Sequence, residues 1–474
     1  MFNLIGIFLK NNIYGRITPR IALFFISVPF KLVAIALVSI GIQHSHMLFI
    51  IFGLISWIVW FILIFTMAFN NIDEALIRHL KYLKRTTAFI LAGLFFLLII
   101  EVLLLSGFYF NFMNRIMPDF NNTIEEVFIF NDSAALSYQA LDNFVNGENP
   151  YKTSNIVEAF EKYDVPFEKI TPIKTGRLLD AFPYPDKQSL KQIWEIACQT
   201  PGSIPNEIMS KFNYPAGSII ISAPFYFSGI RDMRIVGILL CVPILIYAVC
   251  ISKNIWRVIL LVILLLSIDL WSSFFNGGTG YFIFPFLLLA WLLWKKNWLL
   301  SALSMGLAIA MKQIAWFYLI FYLILIFRVK GFYNSLRSCA IIFLVFLSIN
   351  IPFIIDSPSV WINSVFAPVT ESLFPMGVGI ISFISSGIIN IQSSLPFTIM
   401  EVIVLACCAI WYYFNCKRHP YTGPLLSIIP FFFAWRSLPA YFLYADIIII
   451  VSIILNDYAS KCLDSSKFAI ISHR

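Results

Sequence analysis

The sequence predicts an all-α polytopic membrane protein, and two observations carry that reading. Of its 474 residues, 60% are hydrophobic and only 12% are charged, with a mean hydropathy of +0.85; a soluble domain carries about 25% charged residues. The apolar residues also gather into runs of membrane-crossing length, while Lys and Arg collect in the short connections between them. Such connections lie on the cytoplasmic side. The net charge of +8 therefore reports topology. No basic patch on a polar domain points to nucleic acid.

In chain order, residues 1–20 carry Lys10, Arg16 and Arg20 and show no short apolar core with a cleavage site, so no removable signal peptide is expected. Spans follow at about 21–42 and 47–69, joined by a tight Gln-His-Ser-His turn. A basic loop, 70–87, completes an N-terminal helical hairpin unit, 1–87. A third span, about 88–110, places residues 111–215 outside. This polar stretch is too long for an idle connection. It holds most of the acids, two Asn-x-Ser/Thr sequons at Asn121 and Asn131, and the segment 187–199, which reads as an amphipathic helix. The apolar piece that follows Tyr214-Pro215 is too short to cross and should lie in the interface or re-enter from outside, extending the outer loop to 233.

Further spans are expected at about 234–252, 256–274 and 281–294. The stretch 298–327 has basic residues on both flanks, so it must cross an even number of times. It reads as a hairpin with Lys312-Gln313 at its outer tip. Spans at about 338–355, 397–415, 421–435 and 440–456 complete a set of about 12 crossings, with both termini inside and a basic tail, 457–474. The second outer loop is 356–375, and the segment 376–392 is too short and too rich in Gly and Ser to span. Of eight cysteines only Cys198 lies in the long loop, so that loop has no internal disulfide, and no Cys/His spacing suggests zinc.

Several residues stand out chemically. Asp132, just outside a span, has the position of a general base; it also has the position of a helix N-cap or a solvated loop acid. Lys312 and Arg436 are cations on outer tips, against the inside bias. A bound phosphate would explain them, and so would snorkelling to headgroups. Asp269 and Glu101 are intramembrane acids, which default to functional or paired roles. Asp269 lies near the outer end of its span, and Glu101 reads as a structural partner for Lys31. Asp446 is open to either role. Tyr441 and Tyr444 read as an aromatic belt.

The order of these features resembles the GT-C superfamily of polytopic membrane glycosyltransferases, in particular its polyprenyl-phosphate mannosyltransferase-like members. Asp132, Tyr138, Gly147, Asn149, Pro150 and Tyr151 look like the first outer-loop pattern, an acid followed by Tyr and then G-x-N-P-Y. Tyr214-Pro215 resembles its YP stretch, with Ala216 where a second Pro is usual. The run GLAIAMKQ around Lys312 resembles its small-residue helix, and Arg436 with Tyr441 its late Arg/Tyr element. The likeness covers about 88–456, the expected catalytic domain, and leaves the first two spans outside. Relatives often carry adjacent acids in the first loop. Here Asp132 stands between Asn131 and Ser133, so Asp119, Glu125 and Glu126 remain alternative bases.

The resemblance implies transfer of a mannose-like hexose from a polyprenyl- or dolichyl-phosphate donor to a glycan or lipid acceptor on the outer face. Asp132 would be the base, Lys312 and Arg436 would hold the donor phosphate, and Tyr138, Asn149, Tyr151, Tyr214, Asp269 and Tyr441 would line the substrate pocket. Membrane lipids are the remaining partners. No nucleotide or other cofactor is implied. The superfamily admits a divalent metal, and no carboxylate cluster for one stands out in the sequence. The competing reading is a transporter or lipid flippase, in which the intramembrane acids carry ions. Against it stand the absence of an inverted repeat and the long outer loop attached to one acid.

Overall fold

The computed structural model describes residues 19–79, 130–200, 202–251, 260, 263 and 280–455. The chain is mostly helical. In order, the helices used below are α1 (Pro19–Gln43), α2 (Met47–Met67), α3 (Asp132–Val145), α4 (Lys187–Gln199), α5 (Gly217–Phe227), α6 (Met233–Ile251), α7 (Gly280–Leu293), α8 (Trp298–Met311), α9 (Ile314–Lys330), α10 (Phe332–Asp356), α11 (Leu395–Asn415) and α12 (Ala445–Ile453). Two short strands, β1 (Met376–Gly377) and β2 (Arg436–Ser437), pair in parallel.

Among the described residues four helices are long and apolar enough to cross a membrane: α1, α2, α10 and α11. The 25 residues of α1 and α10 rise about 37 Å at 1.5 Å each, which exceeds the hydrocarbon core. α5, α6, α7 and α8 are shorter apolar helices. The expected spans 88–110 and most of 256–274 lie outside the described residues, as do Glu101, Asp119, Glu125, Glu126 and Asp269. The expected span 421–435 is not one helix. It is a chain of single turns, Pro420–Thr422, Gly423–Leu426 and Ile429–Phe432, before β2. Pro420, Pro424 and Pro430 lack the amide hydrogens that a continuous helix would need.

Residues 298–330 form the expected hairpin. Lys312 is extended (φ −155°, ψ 139°), separating α8 from α9. The Ser301 and Tyr322 hydroxyls, on opposite arms, meet at 2.8 Å, so the arms run side by side. Ser301 also donates to the Ala290 carbonyl on α7. The inner face of α8 is built of small residues, Ser301, Ala302, Ser304, Gly306, Ala308 and Ala310, all buried. Small residues let helix backbones approach closely where lipid gives no hydrophobic drive to association. α7 is buried on nearly every face and α12 on every face, so these two form the centre.

The polar connections sort to two ends. At one end Arg20 donates to the Phe69 and Asn70 carbonyls and pairs with Asp73 at 3.4 Å; a cation suits the carbonyl end of α2. The Asn70 amide reaches His419 Nδ1, Lys295 lies over the Tyr421 ring, Arg328 lies over Tyr413, and Lys330 donates to the Trp294 carbonyl. At the other end stand residues 130–230, the 312–313 tip, and 356–378 with 435–441. The Ser45 hydroxyl of the α1–α2 turn meets the Ser386 carbonyl there, at 2.8 Å.

Candidate functional site

The site is built on a platform of short extended segments. Pro172 bridges to Ile208 and Ile173 to Leu373. The Trp435 indole donates to the Leu373 carbonyl at 2.7 Å, and Met376 pairs with Arg436 across β1 and β2. These contacts bring the segments around 172–173, 208, 373–376 and 435–436 side by side. Gly377 is required here. Its φ is +135°, and a Cβ would lie 2.1 Å from the Ser437 carbonyl oxygen, so a side chain would collide with backbone.

Above the platform, α3 begins at Asp132. The cap is Asn131 rather than Asp132 or Ser133: its side-chain oxygen accepts from the Ala134 amide at 2.8 Å. That frees Asp132 to face the platform. One carboxylate oxygen accepts from the Ser133 amide at 2.7 Å and the other from the Thr171 hydroxyl at 2.5 Å. A carboxylate has about four acceptor sites, so these bonds do not fill it. Burial pushes the Asp132 carboxyl above its usual range, while Thr171, the Ser133 amide and the Arg436 charge oppose the shift. The side chain still keeps an opening to solvent.

Arg436 is half-buried, and its guanidinium meets the Met376 thioether at 3.9 Å. Among the described residues it has no carboxylate within 4.0 Å. Its charge reaches Asp132, Tyr184 and Tyr441. Tyr184 feels both Asp132 and Arg436, and burial raises its phenol to about 12. Tyr441 packs on Phe431 at 4.9 Å.

Lys312 stands at the tip of the α8–α9 hairpin. Its ammonium lies 5.0 Å over the Tyr214 ring, and burial lowers it to about 8. The hairpin tip is locked to the outer loop. Gln313 donates to the Asn213 and Val365 carbonyls at 2.6 and 2.8 Å, and Gly217 packs so closely on α8 that a Cβ would lie 2.5 Å from the Ala310 oxygen. Tyr151, fully buried, donates to the Tyr214 carbonyl at 2.7 Å. The G-x-N-P-Y and YP stretches therefore meet each other and Lys312.

The remaining expected pocket residues sit differently. Asn149 caps the turn Pro150–Thr153 and donates to Asp356 at 2.6 Å. Tyr138 points away from Asp132, donating to Asp232 at 2.6 Å. Asp269 lies outside the described residues. Lys31 pairs with Asp446 at 3.2 Å inside the bundle, whereas its expected partner Glu101 is outside the described residues. Thus Asp132 and Arg436 share one electrostatic site with Thr171 and Tyr184, and Lys312 shares another with Tyr214 and Tyr151. Sequence reasoning missed Thr171 and Tyr184. Thr171 carries no signal, while Tyr184 stands between two prolines in a rigid turn. Among the described residues no three His, Cys, Asp or Glu side chains converge. No family model, no curated protein and no solved structure matches the chain.

Proposed function

We propose that the chain is a membrane glycosyltransferase that moves a hexose from a polyprenyl- or dolichyl-phosphate sugar to a lipid or glycan acceptor, with inversion. The observation that carries this reading is that Arg436, a cation with no carboxylate within 4.0 Å among the described residues, lies in electrostatic reach of Asp132, a carboxyl raised by burial whose acceptor sites are not filled. A raised carboxyl is a stronger base than an ordinary aspartate, and it must reach the hydroxyl it deprotonates. Asp132 takes the acceptor proton, and the acceptor oxygen attacks the anomeric carbon. The bond from that carbon to the phosphate oxygen breaks, and the phosphate keeps the electron pair. Arg436 stabilises the growing negative charge, with Lys312 binding the donor from the hairpin tip.

The test is transfer from labelled polyprenyl-phosphate hexoses in membranes that contain the chain. Asp132→Asn should lower the rate by about 100-fold or more, within the range of lost general-base catalysis, while donor binding persists. Arg436→Gln should weaken donor binding as well as rate. Full transfer by Asp132→Asn would remove the base assignment.

A second reading, a transporter or lipid flippase, is favoured by one observation: the buried Lys31–Asp446 pair between apolar helices, since such groups mark ion paths as well as structural pairs. Flux of a labelled lipid-phosphate sugar across sealed vesicles, with no covalent product, would select it.

A further inference from the structure

A second cleft opens on the side of α3 turned away from the platform. Its volume is about 270 Å3, and it is lined by Tyr138, Asp142, Lys162, Tyr163, Tyr226 and Arg231 among others. We propose that this cleft binds a neutral polyhydroxylated ligand, a saccharide, next to the Asp132 site. Its charge balance points to that class. Asp142 accepts from Lys162 at 2.5 Å and from the Tyr163 hydroxyl at 2.6 Å. Asp232 accepts from Tyr138 at 2.6 Å and from Arg234 at 2.7 Å. Each acid thus has a cation beside it, which leaves little field for a metal ion.

The cations are equally committed: Lys162 and Arg234 to these acids, and Arg231 to the Tyr226 ring at 5.5 Å. An anion would have to break those contacts. Asp232 is filled by Tyr138 and Arg234, so what the cleft offers instead is the remaining N–H donors of Lys162 and Arg231, beside the Tyr163 and Tyr226 hydroxyl oxygens as acceptors. Aromatic faces stand beside them: Phe130, Tyr138 and Tyr163 form one cluster with centroids 4.8–6.0 Å apart. Fixed polar groups beside aromatic faces suit a ligand with hydroxyls on its rim and C–H groups on its faces. The acids are held rigidly, since Asp142 is nearly buried and the Tyr138 hydroxyl is anchored, so little ordering is left for binding.

Asp132 and Asp142 lie on the same helix, ten residues apart, which is about 15 Å along its axis. A saccharide in the cleft is therefore a neighbour of the reacting group and not the group itself. On the transferase reading it is the distal part of a glycan acceptor, and only this role rests on that reading.

The experiment is saturation-transfer NMR on the full chain in lipid nanodiscs with mannobiose and chitobiose as probes, together with the transfer assay. At least one disaccharide should bind, and Arg231→Ala and Tyr226→Leu should each weaken it about fivefold or more. Both positions are partly or fully exposed, and Tyr226→Phe serves as the milder variant. Asp132→Asn should leave binding unchanged. Absence of binding by both probes, equal binding in both cleft variants, or displacement of the disaccharide by inorganic phosphate would each overturn the proposal. Full transfer by Asp132→Asn with intact cleft binding would overturn the base assignment and leave the cleft standing.

Discussion

Asp132 is held between opposing effects, and the balance is readable as a pH profile. Burial favours its neutral form, and the Thr171 hydroxyl, the Ser133 amide and the Arg436 charge favour the ion. On the transferase reading the base must be ionised to act, so activity rises with pH through a value above the ordinary aspartate range. Lys312 must be charged to hold a phosphate, and burial lowers it to about 8. Activity should therefore fall as pH rises through about 8. A plot of kcat/KM against pH should be a bell whose acid limb lies above 3.8, the ordinary value, and whose alkaline limb lies near 8. Lys312→Arg should carry the alkaline limb out of range, because arginine stays charged. An unmoved alkaline limb would remove Lys312 from donor binding. Thr171→Val deletes a donor to the ionised carboxylate. It should move the acid limb up by about one pH unit, the scale of one charge-assisted hydrogen bond. A structural role for Thr171 would lower expression without moving the limb.

At the scale of elements, the parallel pair β1–β2 decides where Arg436 stands. Gly377→Ala puts a Cβ into the Ser437 carbonyl, so β2 must shift and carry Arg436 with it. Transfer should fall about tenfold or more while the chain still inserts. Gly147→Ala is the control. Its φ is also positive, at +84°, but nothing lies within 4 Å of the added carbon, so it should cost about 1 kcal/mol of stability and leave transfer intact. Equal loss in both would mean that backbone strain, and not the position of Arg436, is being measured. The hairpin at Lys312 was legible in the sequence because charge on both flanks demands an even number of crossings. The helix 187–199 was legible from its apolar period, and Asp186 caps it. The broken segment 421–435 was misread because its composition is that of a span, and three prolines outweigh hydropathy there. The platform was not legible. Two of its pairings join residues 200 and 60 apart, Ile173 with Leu373 and Met376 with Arg436, and no local pattern announces a pairing across that separation. For the same reason Thr171 was invisible as a partner of Asp132, as was Asp232 as the partner of Tyr138.

Over the whole molecule, one contact ties the N-terminal hairpin to the central helix. Lys31 on α1 meets Asp446 on α12 at 3.2 Å, with side-chain exposures of 4% and 5%. The ammonium also donates to the Leu443 carbonyl and lies 5.2 Å over the Trp60 ring. The hairpin packs beside it through Trp57 and Phe61, which meet Phe442 and Phe432. Charges this far from water are costly to separate. Removing one partner leaves the other unpaired and destabilises by about 3–5 kcal/mol, whereas replacing both by apolar residues of similar volume is near neutral. Lys31→Met or Asp446→Leu alone should therefore lower the unfolding midpoint in detergent, and the double variant should recover most of it. This outcome separates the two functional readings. If the pair is a structural latch, the double variant folds and transfers hexose at close to the original rate. If the pair is an ion-carrying site, the double variant folds but loses all flux in sealed vesicles, because no titratable pair remains along that path. A double variant no more stable than the singles would show that the pair is not what holds the N-terminal hairpin to the rest of the bundle, leaving that role to the contacts of Trp57 and Phe61 with Phe442 and Phe432.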